Sequence, residues 1–129
     1  MKIKIYYHHT DCGGVVYYAK YLEFLEDART GFFENRGILI KELVKQGMQF
    51  VVARQEIDYK SPAFYADILS IDTRVTEVGR AKIDFAYEIK NQNNQIISTA
   101  RTIMVCVNGN FKPQAIPGEI RNKLVLQKL

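Results

Sequence analysis

The sequence predicts an α+β fold in which a curved antiparallel sheet of about five strands wraps around one long central helix. Three observations lead there. From about Ala19 to Arg36, Tyr21, Leu25, Ala28 and Phe32 fall at i, i+4, i+7 and i+11, which forms one apolar stripe. From residue 49 onwards the apolar period changes to two, the period of strands. A sheet of that size must bury its apolar face, and no other helix is long enough to cover it.

Each element follows in order. Residues 2–7 alternate polar and apolar and are expected to form a first strand. His8 to Gly14 reads as a polar loop closed by Gly13-Gly14, a pair that permits φ > 0. On the long helix Leu22 and Phe33 widen the stripe, while Glu23, Glu26, Asp27 and Arg29 supply the solvated face. Gly37 sits where a C′ glycine would end that helix. A shorter helix is expected over Ile40 to Gln46, stopping at Gly47. Strands follow over 49–60, ending near Ser61-Pro62, and over 67–78. Ile83, Phe85, Tyr87 and Ile89 then alternate with polar residues in a half-buried strand, and Asn91-Gln92-Asn93-Asn94 is a hairpin turn. The last strand, 95–107, carries Ile97, Thr99, Arg101, Ile103, Val105 and Val107 on one face. Pro113 and Pro117 bracket an extended tail before a short helix from about Gly118.

A length of 129 residues suits one domain spanning 1–129. Such a domain has little volume for an internal cavity, so a large ligand is expected between subunits. The net charge of +4 favours polyanions in general. The basic residues are dispersed, however, and the densest group, Arg121 through Lys128, is far short of a basic tail, so nucleic acid is not expected as a partner. No stretch is apolar enough to span a membrane, and the N-terminus lacks the apolar core of a signal peptide. With only Cys12 and Cys106 as thiols, a reducing, cytoplasmic location is expected.

The loop His8-His9-Thr10-Asp11-Cys12-Gly13-Gly14 concentrates reactive side chains, and four readings compete for it. A metal site from His8, His9, Asp11 and Cys12 is disfavoured, because adjacent residues on an extended chain face opposite ways and no downstream cluster completes the ligands. A Cys12 nucleophile would need a base, and only His9 is near in sequence. A purely structural loop with Asp11 as a helix cap is the third reading. In the fourth, Asp11 is a catalytic carboxylate just before a long helix, whose free N–H groups can polarise a thioester carbonyl and hold an oxyanion.

The stretch from Tyr7 through Thr10-Asp11, Gly14-Val15-Val16-Tyr17-Tyr18, Tyr21, Phe24, Glu26 and Ala28-Arg29-Thr30 resembles the signature of the 4-hydroxybenzoyl-CoA thioesterase/YbgC-type hot-dog family. Agreement continues at Asp58-Tyr59-x-x-Pro62-Ala63, Asp67-x-Leu69 and Ile116-Pro117 and covers nearly the whole chain. The resemblance implies a hot-dog acyl-CoA thioesterase that acts on a short-chain or aromatic acyl group and needs no cofactor, since coenzyme A is part of the substrate. It implies Asp11 as nucleophile or general base, and Tyr18 where a backbone N–H meets the thioester carbonyl. Gly14 and Val15 shape the turn, Tyr7 lines the pocket, and Arg80 and Lys82 meet the CoA phosphates. It also implies a homodimer or homotetramer with sites between subunits. Three positions depart from the pattern: Tyr18 where YbgC-type members carry histidine, His9 where an acidic residue is usual, and Cys12 in place of alanine or serine. A non-catalytic acyl-CoA-binding protein and a hot-dog dehydratase remain as alternatives. The latter would pair a histidine with an acidic residue, and the only histidines precede the helix.

Overall fold

The structure, a computed structural model, describes residues 1–124; Lys128 lies outside the described residues. Among those, the order is β1 (Lys2–Lys4), a 3₁₀ turn (Tyr7–His9), α1 (Lys20–Asn35), α2 (Ile40–Lys45), β2 (Gln49–Tyr59), β3 (Ile68–Val78), β4 (Lys82–Lys90), β5 (Ile96–Val107) and α3 (Gly118–Lys123). The five strands make one antiparallel sheet in the order β1-β3-β4-β5-β2. Irregularities of register at Val52/Arg54 and Val75/Glu77 mark bulges, which bend and twist a sheet. The curled sheet holds α1 on its concave side, in the hot-dog arrangement.

Helix α1 lies where its stripe requires. Tyr21, Phe24, Leu25, Ala28, Phe32 and Phe33 are buried, and across from them lie Leu69, Val75, Ile83, Phe85 and Ile89 of the sheet. Phe85 is the aromatic hub: it meets Phe32 and Phe33 edge-on, with ring centroids 5.7 and 5.5 Å away. The helix ends in a Schellman arrangement, with Ile38 N–H donating to Phe33 O (2.9 Å) and Gly37 N–H to Glu34 O (3.0 Å). Gly37 has the φ of +74° that such an ending needs.

Several expectations need correction. The first strand stops at Lys4, because Tyr6 N–H is captured by His9 Nδ1 (2.9 Å) and the chain winds into the 3₁₀ turn. Leu22 does not widen the buried stripe; it is 45% exposed. Arg29, expected on the solvated face, is buried and runs toward Tyr87, whose hydroxyl it approaches. On the outer face of β4 Asp84 and Ala86 are buried as well, with Arg101 (2.5 Å) and Lys82 (3.4 Å) on the carboxylate of Asp84, while Lys82, Glu88 and Lys90 stay half-buried. On β5 the core side belongs to Ser98, Thr102, Met104 and Cys106, so Ile103 and Val105 face outward, half-buried.

Phe85→Ala removes the hub of this packing and should destabilise the protein by about 3–5 kcal/mol. A urea titration should show a lower midpoint at unchanged slope.

Candidate active site

Residues 9–17 fold into a miniature hairpin. Thr10 and Val16 form an antiparallel bridge, Asp11 N–H donates to Val15 O (3.0 Å), and Gly14 N–H donates to Asp11 O (3.0 Å). This is a tight turn followed by a left-handed residue, and Gly14 supplies that conformation at φ +81°. A second bridge, Val15 to Phe64, anchors the hairpin to the segment that precedes β3. Asp11 therefore stands at an exposed tip, and its Oδ1 accepts the Gly13 N–H at 2.8 Å. A Cβ at position 13 would meet that oxygen at 3.1 Å, so the bare glycine keeps the carboxylate in place.

Helix α1 begins beside this tip without a side-chain cap at Ala19. Lys20 N–H donates to Tyr17 O (2.9 Å) and Leu22 N–H to Ala19 O (3.2 Å). The amides of Tyr18 and Ala19 donate to no acceptor among the described residues, which is the usual state of a helix start. Asp11 is close enough to Tyr17 for its charge to help raise the phenol pKa, after the larger effects of the Tyr18 hydroxyl and of desolvation. Carboxylate and free amides thus share one corner of the molecule.

Next to that corner runs a groove of about 300 Å³, lined by Val15, Val16, Tyr18, Tyr21, Tyr59 and Pro62. Burial pushes the Tyr21 phenol up to about 12, with smaller contributions from Tyr59 and Asp67, so it remains a neutral wall. Two larger grooves, of about 390 and 340 Å³, flank other parts of α1, and neither is lined by the Asp11 loop. The chemistry favours the smaller groove, because Val15 of the Asp11 hairpin and Tyr18 at the start of α1 both line it.

The predicted site residues divide into two groups. Asp11, Gly14, Val15 and Tyr18 meet at the start of α1. Tyr7, 80% exposed, stands nearby and packs edge-on against Tyr65 at 6.0 Å. Arg80 and Lys82 are not brought to them. Arg80 lies in the β3–β4 turn and Lys82 opens β4, past the far end of a strand of 11 residues, or about 36 Å at about 3.3 Å per residue. Arg80 is exposed and forms no ion pair among the described residues, whereas Lys82 is shared between Glu77 (3.7 Å) and Asp84 (3.4 Å). Tyr21 and Tyr59 were not among the predicted site residues. For Tyr59 a signal did exist, in the Asp58-Tyr59-x-x-Pro62-Ala63 motif.

The premise that His8 and His9 face opposite ways also fails. The 3₁₀ turn brings their rings to 4.1 Å. Even so, no group of three His, Cys, Asp or Glu side chains placed to hold a metal ion occurs among the described residues. Cys12 is exposed, and His9 Nδ1 is occupied by the Tyr6 amide.

Residues 7–124 match the sequence model of the Thioesterase-like superfamily. The chain belongs to that superfamily. Among its relatives, the acyl-CoA thioesterase YbgC of Haemophilus influenzae is 38% identical over 121 residues, covering 92% of this chain and 88% of that protein. The acyl-CoA thioester hydrolase YbgC of Escherichia coli is 34% identical over 119 residues, covering 92% and 89%. The crystal structure of a DHNA-CoA thioesterase from Staphylococcus aureus superposes with a TM-score of 0.90 at 27% identity, over 95% of this chain and 87% of that one. No helix of this thioesterase-family chain is long and apolar enough to cross a membrane among the described residues.

His9 gives the site's scaffold a pH dependence. Desolvation, then the neighbouring His8 and Lys20, lower its pKa below 6.5 against a smaller opposing effect of Glu23, and its Nδ1 must be unprotonated to accept the Tyr6 amide. A folded-state pKa below the unfolded one means that this stability is full above pH 6.5 and is lost as pH falls toward the folded value. His9→Asn keeps an acceptor without a titration, so its thermal midpoint should fall less than the wild type's between about pH 7 and 5. Equal slopes would rule this linkage out.

Proposed function

We propose that this chain hydrolyses an acyl-CoA thioester, of a short-chain or aromatic acid, to the free acid and CoA, with Asp11 as nucleophile or general base. Acyl-CoA thioesterase activity is supported by the relatives that carry that name at 34% and 38% identity. One observation carries the mechanism: an exposed carboxylate stands beside two unpaired amides at the start of α1, at the mouth of an aromatic groove.

The chemistry follows from that juxtaposition. The thioester carbonyl oxygen takes the amides of Tyr18 and Ala19, which become stronger partners as negative charge grows on it. Asp11 attacks the carbonyl carbon, or takes a proton from the water that does. Collapse of the tetrahedral intermediate breaks the C–S bond and releases CoA as a thiolate, a good leaving group that requires little help from an acid. If a mixed anhydride with Asp11 forms, water then hydrolyses it. The acyl group lies in the Tyr18–Tyr21–Tyr59 groove, with Gly14 and Val15 as its turn and Tyr7 at its rim. No dissociable cofactor takes part.

Arg80 and Lys82 reach the CoA phosphates from a second copy of the chain. Their separation from Asp11 along β3 supports this, as does Arg80, which is exposed and has no ion pair among the described residues. The working unit is then a homodimer or homotetramer of single-domain chains with sites between subunits. The two free thiols, Cys12 and Cys106, are consistent with a cytoplasmic location.

Free-thiol release from a panel of acyl-CoAs tests the proposal. Asp11→Asn should lower kcat by about 100-fold or more. After a single turnover in H₂¹⁸O, label in Asp11 would establish the nucleophilic role, since it enters that carboxylate only when water opens a mixed anhydride at the aspartyl carbon. If no ester is cleaved, a non-catalytic acyl-CoA-binding protein takes the place of this reading; if the variant is equally active, Asp11 has no catalytic role.

A further inference from the structure

We propose that Tyr59 is a positioning residue for this reaction: its hydroxyl fixes the Tyr18–Ala19 peptide and so aims the amides at the start of α1. The inference rests on the thioesterase reading above and extends it to a residue at the end of β2.

The first turn of α1 leaves one carbonyl out of its ladder. Lys20 N–H goes to Tyr17 O, and Leu22 N–H goes to Ala19 O rather than to Tyr18 O. Tyr18 O instead accepts the phenolic O–H of Tyr59 at 3.0 Å. That bond joins residues 41 apart in sequence, tying the helix start to the sheet. A trans peptide is planar, so its C=O and the following N–H point in opposite directions. Holding Tyr18 O therefore holds the Ala19 N–H, one of the two unpaired amides. The same bond polarises the peptide and makes that N–H a better donor to an oxyanion.

The Tyr59 ring is itself fixed. It stands edge-on to Tyr21 at 5.5 Å and to Tyr18 at 6.5 Å. Desolvation, then the neighbouring Tyr18, raise the Tyr59 pKa, so the proton needed for donation stays in place at neutral pH. A ring needed only as groove wall would serve equally well without its hydroxyl. The direction of the hydroxyl, onto the one carbonyl that the helix leaves unused, points to the positioning role.

Tyr59→Phe keeps the ring and removes the donor. Steady-state hydrolysis should show kcat lowered by about tenfold, the scale of one hydrogen bond, with KM for the same ester unchanged. Tyr59→Leu should raise KM as well, because the groove loses a wall. A spectroscopic arm reads the amides directly. In the Asp11→Asn background with bound benzoyl-CoA, the thioester C=O stretch should lie below its value in water, and adding Tyr59→Phe should return it partway. Should Tyr59→Phe fail to fold, 3-fluorotyrosine at position 59 retains the hydroxyl with altered donor strength, and kcat should change with it. An unchanged kcat in whichever variant folds, or an unmoved C=O band, overturns the positioning role. If instead the wild type cleaves no acyl-CoA, the thioesterase reading itself has failed; if Asp11→Asn matches an active wild type, only the role of Asp11 has.

Discussion

The structure depends on one constraint: a curled sheet of five strands has a single long helix with which to fill its concave face. Everything on α1 is subordinate to that fit. Aromatic residues take the widest gaps, with Phe32 and Phe33 closing on Phe85, and Ala28 sits where helix and sheet come close. Because the apolar stripe leaves little freedom to slide or rotate, the start of the helix is delivered to a fixed point. That point is where β2 ends at Tyr59 and where the hairpin of residues 9–17 rests against Phe64.

The site is economical in its chemistry for the same reason. The groups left without an acceptor at the start of α1, among the described residues, are backbone amides, so their direction follows from the course of the chain there. Its carboxylate is held by a two-residue loop bond to Gly13, independent of the core. Sheet, helix and hairpin each contribute one piece, and the groove between them is lined by tyrosines, of which Tyr21 is buried and Tyr59 donates its hydroxyl to Tyr18 O.

Much of this was legible in the residues. The stripe of Tyr21, Leu25, Ala28 and Phe32 located α1, and Gly37 and Gly47 marked two helix ends that the backbone confirms at φ +74° and +75°. The pattern around Thr10-Asp11 singled out the loop that does meet the helix start. What could not be read were effects of tertiary pairing. Periodicity put Arg29 in solvent, but no local rule knows that Tyr87 waits opposite it. Alternation made Asp84 a surface residue, whereas its cross-strand neighbours cover it. The strand expected through Tyr7 was cut short by a histidine nitrogen that accepts a backbone amide. The Tyr59–Tyr18 bond spans too many residues for any window to join them.

Gly13 has a consequence for how this loop can vary over generations of mutation. Its missing side chain leaves room that the Asp11 carboxylate fills, with a Cβ there only 3.1 Å from Oδ1. A single added methyl would displace that oxygen by a few tenths of an ångström. Position 13 thus sets where the Asp11 carboxylate rests, from an exposed turn that lies outside the core.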